Sequence, residues 1–184
     1  MRREEAFNLL KQNVKNQNLI KHCLAVEAIM RALASHFGED EEKWGLTGLL
    51  HDIDYEKTKD NPSQHSLLGS KMLEDLGMDK EICQAVRVHN EIHGIRPQTL
   101  MEKSLFVADA LSGLIVAATL VLPSKKIKDL TVKNVLNRFK EKAFARRINR
   151  EIIKRCEDYL NLSLEEFVKI GLSAMQKIGD ELGL

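Results

Sequence analysis

Apolar residues recur at the helical period along almost the whole chain, and no stretch alternates apolar and polar residues as a half-buried β-strand would. The three prolines all fall between the helical segments, where a missing backbone N–H does no harm. The pattern therefore predicts an all-α protein. The predicted helices are about 3–15, 18–37, 40–53, 64–76, 79–92, 100–119, 131–142, 145–160 and 163–181. Ser163 and Glu166 have the spacing of a capping box, and Ser63 is a candidate N-cap. Gly38, Gly77 and Gly94 each follow a helical segment, as helix stops do.

Length and composition narrow the class further. A chain of 184 residues is long enough for one domain with a substantial core and does not require two. We expect a single domain over 1–184, with a core of about 18–120 and C-terminal helices of about 131–181 packing on it. A net charge of +1 gives no field typical of a nucleic-acid coat, so we expect nucleic acid not to be a partner. The N-terminus "MRREEAFNLL" is unlike a signal peptide and the longest apolar run is interrupted, which favours a cytoplasmic protein without a membrane span.

The three cysteines, Cys23, Cys83 and Cys156, are scattered and show no C-x-x-C spacing. This spacing argues against a zinc ribbon, a redox pair or a disulfide framework. Each lies among apolar residues of a predicted helix, so we interpret them as small core residues.

The stretch "GLTGLLHDIDYE" places two ionisable residues, His51 and Asp52, at the end of an apolar run. Burying a carboxylate without a partner is costly, so the pair needs either solvent at a helix end or a ligand. Successive helical residues point about 100° apart, yet both can reach one ion near the end of the helix axis, where another helix crosses. Gly45 and Gly48 would permit such a close crossing.

Two further polar residues lie on apolar helices. His22 is near the buried side of "LIKHCLAVEAIM", where an ordinary core histidine is the alternative. Asp109 lies in "LFVADALSGLIV", a helix that is apolar nearly all round, where the alternative is a buried salt bridge. Together with the His51–Asp52 pair, they suit a divalent first-row metal such as Mn, Fe or Zn, and the absence of thiolates argues against structural zinc.

The other histidines stand near predicted helix ends. His65 opens "QHSLLGSKML" and His89 closes "EICQAVRVHN". Each histidine alone fits an exposed surface position. Their order and spacing in the chain are what make them candidate ligands. His93, four residues after His89, is a spare ligand if that helix continues, and we expect His36 to be at the surface.

In order, His22, "HD" at 51–52, "HSLLGSKML" from His65, "AVRVHN" ending near His89 and "VADAL" at Asp109 resemble the HD-domain superfamily of metal-dependent phosphohydrolases. The most similar pattern is that of the small bacterial branch with "HDIG"-type motifs. The resemblance covers about residues 18–120, and it implies a helical bundle with a metal site at its centre.

The resemblance also implies a ligand set. The minimal site is His22, His51, Asp52 and Asp109, and versions with His65 and His89 hold a second ion bridged by Asp52. The implied cofactor is one or two divalent ions, with Fe, Mn or Zn favoured and Mg open. The implied activity is hydrolysis of a phosphate ester or anhydride of a nucleotide or small phosphorylated metabolite through a metal-activated water, with Asp52 as a catalytic carboxylate.

The chain departs from this family where "HDIG" and a lysine are replaced by "HDIDYE", and where paired histidines are replaced by His89–Asn90. Both departures count against a cyclic di-GMP phosphodiesterase. Asp54 is a second candidate catalytic carboxylate, as a proton acceptor or as a group that holds a ligand, and the alternative is a solvated acid at a helix end.

Cations for substrate phosphates are less clearly marked. By position the candidates are Lys57, Lys71, Arg96 and Lys103. A basic row of Arg138, Lys142, Arg146, Arg150 and Lys154 at four-residue steps predicts either a solvent face or a polyanion-binding surface.

Three functions stay open at this stage. The first is the phosphohydrolase acting on a small, nucleotide-like substrate. The second is a di-iron oxygenase of the same superfamily, which shares the six ligands. The third is a non-catalytic nucleotide- or RNA-associated module with a relic site. A homodimer is also left open.

Overall fold

The computed structural model describes residues 1–184, and no residue lies in a β-strand. The prediction of an all-α protein is confirmed. The helices are α1 Arg3–Asn13, α2 Gln17–Phe37, α3 Glu41–Leu50, α4 Tyr55–Thr58, α5 Leu67–Asp75, α6 Lys80–Val88, α7 Leu100–Leu120, α8 Val132–Lys140, α9 Arg150–Lys154, α10 Cys156–Leu160, α11 Leu164–Lys177 and α12 Gly179–Leu182. Single 3₁₀ turns lie at Pro62–Gln64, Glu91–His93 and Ile127–Asp129.

The two longest helices, α2 and α7, form the centre of the bundle. They pack on each other, α3 and α11 pack on α2, and α6, α9 and α10 pack on α7. One continuous cluster of buried apolar residues joins α1 at one end of the chain to α12 at the other. The C-terminal helices thus cover the same core that the N-terminal helices build.

Helix α7 is long and apolar enough to cross a membrane by length and composition alone. Most of its residues are buried against other helices, including Leu105, Leu111 and Leu114 with no exposed surface. A central core helix must be apolar on nearly every side, so its composition is explained by its position in the bundle.

Helices α2 and α3 cross at close range at Gly48. A Cβ atom at this position would lie 2.9 Å from the backbone N and Cα of Glu27, so only glycine lets the two helices approach this far. Beside the crossing, the buried Glu27 carboxylate pairs with Arg3 at 2.7 Å and with Arg31 at 3.0 Å. The crossing brings the start of α2 next to the end of α3.

Several cap predictions can be compared with the helix ends. Ser163 and Glu166 form the predicted capping box at the start of α11. Gly38 and Gly77 follow α2 and α5 at φ values of +72° and +71°, as predicted for helix stops. Ser63 as an N-cap is wrong: it lies in a 3₁₀ turn, and α5 begins only after Ser66.

The predicted helix 145–160 is wrong in its first part. Residues 141–149 form turns, and Arg155 separates α9 from α10. The reason is Arg150, whose guanidinium donates to backbone carbonyls of Phe139 (2.8 Å), Glu141 (3.1 Å) and Phe144 (2.5 Å). These carbonyls face the arginine, so they are not available to a continuous helix.

The predicted basic row from Arg138 to Lys154 depends on that helix, so the structure does not contain it. Its four-residue spacing assumed one helical face from Arg138 to Lys154, but the chain turns between α8 and α9. Arg138 pairs with Glu141 at 2.8 Å, and Arg150 holds the turn together. The five cations therefore do not lie along one face of a continuous helix.

Candidate metal centre

Five elements of the bundle bring the six predicted ligands together. His22 lies on α2, His51 and Asp52 follow α3, His65 precedes α5, His89 follows α6 and Asp109 lies on α7. Nε2 of His22 is 3.1 Å from Oδ1 of Asp109 and 3.2 Å from Nε2 of His51. Residues that are up to 87 positions apart in sequence thus share one site.

Two of the histidines are oriented in the same way, by a hydrogen bond at the end of a helix. Helix α3 ends at Leu50 and α6 at Val88, and the next residue in each case is a histidine. Nδ1 of His51 donates to the carbonyl of Gly48 at 2.8 Å, and Nδ1 of His89 donates to the carbonyl of Val86 at 2.6 Å. Each ring satisfies a carbonyl that the helix end leaves free, and its Nε2 points beyond the helix.

The other two rings are also held through Nδ1. The Ser112 hydroxyl donates to the carbonyl of Asp109 at 2.8 Å, so its oxygen accepts from Nδ1 of His22 at 3.2 Å. Nδ1 of His65 lies 3.0 Å from Oδ1 of Asp54. Each Nδ1 therefore faces a hydrogen-bond acceptor away from the centre of the site, so each Nε2 is placed to offer a lone pair to a metal once it carries no proton of its own.

The Asp52 carboxylate lies between two halves of the site. Its Oδ1 is 3.2 Å from Nε2 of His65, 3.4 Å from that of His89 and 3.5 Å from that of His51. Its Oδ2 faces Nε2 of His22 at 3.6 Å. Two groups of residues could each hold an ion, because the three ligand atoms of each group lie within 4.8 Å of one another. One group is His22, His51 and Asp109, and the other is His51, Asp52 and His89.

The pKa values of the histidines and carboxylates in the site depend on one another. Burial lowers the pKa of His51 to about 4, so this ring is neutral near pH 7, as a ligand must be. Burial opposes protonation of His65, but its hydrogen bonds to Asp52 and Asp54 raise its pKa to about 10. Burial would raise the pKa of Asp52, yet His51 and the hydrogen bonds from His65 and His89 hold it well below its usual value. The proton that His65 shares with Asp52 thus lies where a metal ion would bind both groups.

Asp54 lies behind a candidate metal ligand, which agrees with the second of its two predicted roles, a group that holds a ligand. The side chain is fully buried, so the solvated alternative is wrong. One oxygen faces Nδ1 of His65, and the other accepts from the backbone N–H of Ser66 (2.9 Å) and of Gly69 (2.8 Å). Both oxygens face hydrogen-bond donors inside the protein, so this geometry favours positioning of His65 over acceptance of a proton from substrate.

The segment around Asp54 is shaped to receive this carboxylate. Ser66, which precedes α5, has a φ of +72°, a strained value for a residue other than glycine. A Cβ atom at Gly69 would lie 3.1 Å from the Asp54 carboxyl carbon. Asp54 takes the place of the missing N-cap of α5, because the Ser66 hydroxyl donates instead to the carbonyl of Arg87.

The predicted substrate cations do not line the site. The cleft that opens onto the ligands has a volume of about 460 Å³, and Lys57, Lys71, Arg96 and Lys103 are absent from its wall. The Lys57 amine donates to Oδ1 of Asn13 at 2.8 Å, and Lys71 pairs with Asp75 at 2.5 Å. The lining residues are Asn16, Asn18, Leu19, His22, Asp52, Tyr55, His65 and Asp109.

The sequence interpretation missed Asn16, Asn18, Leu19 and Tyr55. The unusual motif tail "DYE" was a signal for Tyr55. The next residue, Glu56, accounts for the position of Asn16 at the cleft. The Glu56 carboxylate accepts from the backbone N–H of Lys15 at 2.8 Å and of Asn16 at 2.6 Å. It fixes the loop before α2 against the mouth of the cleft.

The two remaining histidines stand outside the ligand cluster. Nε2 of His93 donates to the carbonyl of His65 at 2.7 Å, so His93 supports the turn before α5 and is not a spare ligand. His36 is exposed near the far end of α2, as predicted.

Comparison with known proteins identifies the family to which the chain is similar. A family model described as HD domain matches residues 19–114. Ribonuclease Y of Lawsonia intracellularis is 29% identical over 139 residues, and those of Oleidesulfovibrio alaskensis and Nitratidesulfovibrio vulgaris are 29% and 30% identical over 140 residues. Each alignment covers 74% of this chain, which spans only about a quarter of the length of these curated relatives. No solved structure matches significantly.

The family match covers more than half of the chain and includes all six residues of the candidate site. The helical bundle and the convergence of His22, the His51–Asp52 pair and Asp109 agree with it. The chain therefore belongs to the HD-domain superfamily of metal-dependent phosphohydrolases.

Proposed function

We propose that the protein hydrolyses a phosphate ester or anhydride of a nucleotide or another small phosphorylated metabolite. The observation that carries this proposal is the convergence of four imidazole Nε2 atoms on two carboxylates, with every Nδ1 occupied by an outward hydrogen bond. Each Nε2 can meet a carboxylate either through its own proton or through a metal ion between them, and four imidazoles with two carboxylates are a ligand set that suits a divalent ion.

The donor set fits one or two divalent ions. His22, His51, Asp52 and Asp109 would hold the first ion, and Asp52, His65 and His89 would hold the second. Nitrogen and carboxylate ligands without thiolates suit Fe, Mn or Zn. When bound, such ions lower the pKa of a water molecule and polarise a phosphoryl group.

The chain's own residues prepare this chemistry. Ser112 and Asp54 fix the orientation of the His22 and His65 rings, and the helix ends fix those of His51 and His89. The Asp109 side chain is 36% exposed, and it lines the cleft together with Asp52. A substrate phosphate can therefore reach the ligand cluster from solvent.

The test begins with elemental analysis of protein purified without chelator. Phosphate release is then screened with Mn, Fe, Zn and Mg over a panel of nucleotides and phosphorylated metabolites. We expect His22→Ala to lose bound metal and turnover, while the matched variant His36→Ala, on the exposed face of the same helix, keeps both. Circular dichroism controls for folding.

Two outcomes would redirect the proposal. Oxygen-dependent turnover without phosphate release would replace the hydrolase with a di-iron oxygenase. Metal-free protein that stays inactive with every ion and substrate would leave a non-catalytic module.

The relatives support a second candidate substrate. They are named ribonuclease Y, and the alignment covers most of this chain. We therefore include RNA phosphodiesters as a substrate class, measured with end-labelled oligonucleotides in the same metal screen. Cleavage of RNA without release of phosphate from nucleotides would favour it over the small-molecule substrate.

A further inference from the structure

The wall of the cleft next to the metal ligands carries one exposed aromatic side chain. Tyr55 is 47% exposed, although large apolar and aromatic side chains are mostly buried in this protein. Its ring meets that of His65 edge to face, with centroids 5.1 Å apart and an interplanar angle of 81°. A flat ring thus stands at the mouth of the cleft, in contact with a candidate metal ligand.

The wall of the cleft also carries amide groups. Oδ1 of Asn16 is used to cap α2, where it accepts from the N–H of Asn18 at 2.9 Å and of Leu19 at 3.3 Å. The Asn16 amide NH₂, the whole Asn18 amide and the Tyr55 hydroxyl form no hydrogen bond within the protein. The cleft therefore presents both donors and acceptors beside an aromatic face.

The segment that carries Tyr55 is hydrogen-bonded to the segment that carries Asn16. Glu56, next to Tyr55, accepts from the backbone N–H of Lys15 and Asn16, and Lys57 donates to Asn13. Binding on this surface needs little ordering of the backbone, which lowers the entropic cost of holding a ligand.

The charges of the cleft limit what it can bind. No lysine or arginine lines it, so positive charge would come only from the metal centre. A chain of several phosphates would find no partner beyond the ions, whereas a base has a ring to stack on and amides for its polar edge. A volume of about 460 Å³ is in the usual range for a small-molecule site.

We propose that Tyr55, Asn16 and Asn18 form a nucleobase subsite, which receives the base of a nucleotide whose single phosphate lies at the metal ligands. The phosphate half of this arrangement rests on the proposed function; the base half does not. The nucleotide is either free or the terminal residue of an RNA strand.

Binding is measured first, with ligands that cannot be hydrolysed. The metal-loaded protein is titrated with the methylenephosphonate analogue of AMP and, separately, with inorganic phosphate. We expect Tyr55→Ala to weaken binding of the AMP analogue by about 5- to 150-fold, the range for loss of one base–aromatic stack, and to leave phosphate affinity unchanged. Tyr55→Phe keeps the ring and should retain most of the affinity.

Two further variants sharpen the result. Asn18→Ala should weaken the AMP analogue more than phosphate, because it removes an amide from the wall but no helix cap. Leu76→Ala removes an exposed apolar side chain that does not line the cleft, and it should change neither affinity. Equal binding of the AMP analogue by the parent protein and by Tyr55→Ala would overturn the subsite, as would equal weakening of the analogue and of phosphate.

The titrations also separate this inference from the proposed function. If no substrate releases phosphate but the AMP analogue binds in a Tyr55-dependent way, hydrolysis fails and the subsite stands. If nucleotides are hydrolysed but binding is independent of Tyr55, only the subsite fails. Titration with a non-hydrolysable, phosphonate-linked analogue of the RNA trinucleotide AAA then assigns the source: tighter binding than the AMP analogue supports a strand terminus, and weaker binding supports a free nucleotide.

Discussion

Replacing Asp54 by asparagine tests whether a buried carboxylate sets the tautomer of a metal ligand. The change keeps the shape of the side chain but turns one oxygen into an NH₂ group. Two backbone donors, Ser66 and Gly69, face one oxygen at 2.9 and 2.8 Å, so the amide oxygen must stay on that side. The NH₂ group then faces Nδ1 of His65, where an acceptor stood at 3.0 Å.

Two donors cannot share that contact. His65 must move its proton from Nδ1 to Nε2, which removes the lone pair that points toward Asp52. Loss of a partner behind a metal ligand lowers metal affinity by about 10- to 100-fold, which is about 1.4–2.7 kcal/mol. We expect this loss for the ion that uses His65 and none for the ion held by His22, His51 and Asp109.

The assay combines metal titration with ¹⁵N NMR of the imidazole nitrogens, which reports the tautomer directly. Asp60→Asn removes an exposed carboxylate six residues further on and should change neither measurement. The reasoning is refuted if His65 in the Asp54→Asn protein still carries its proton on Nδ1, or if both ions bind with unchanged affinity.

Four further outcomes are expected. Gly48→Ala should lower the free energy of unfolding by about 1–3 kcal/mol in thermal or urea melts, since its Cβ would meet the Glu27 backbone at 2.9 Å; Gly45→Ala, whose Cβ would meet only the Arg31 side chain, should cost less. Chelation should lower the melting temperature of protein kept at an ion concentration of 100 Kd by about 5–10 °C, and an unchanged melt would argue against a bound ion. Arg150→Ala should destabilise the turns of residues 141–149 by about 1–3 kcal/mol without altering turnover, whereas the exposed Arg147→Ala should be neutral. All three cysteines are buried and free, and burial raises the pKa of Cys156 to about 12; the native protein should therefore show no thiol reactive to a disulfide reagent at pH 8, and the denatured protein three.

The features that could be predicted are those with a local cause. The helical period set the all-α class, since it depends only on which face of each segment is apolar. His51 and Asp109 could be singled out because ionisable residues in apolar runs need partners, and the order of the motifs supplied the superfamily. The capping box at Ser163 is likewise a local pattern, and the structure contains it.

The errors arose where the hydrogen-bond partner of a polar side chain decides its role, because helical periodicity does not show that partner. Helix 145–160 failed because Arg150 binds carbonyls from the preceding turns, which helical periodicity does not register. Lys57 and Lys71 were chosen by their position in the chain, but their amines pair with Asn13 and Asp75. His93 has ligand spacing, yet a carbonyl takes its Nε2.

By itself the sequence determined the helical class and the residue types able to bind a metal, because helical period and the cost of burying charge are properties of short segments. Only the tertiary structure decided that Asp54 positions His65 and that Tyr55 faces the cleft beside Asn16 and Asn18. Hydrogen-bond partners and exposure depend on which segments pack together, and in this protein the packing of α2, α3 and α5 around the site decides them.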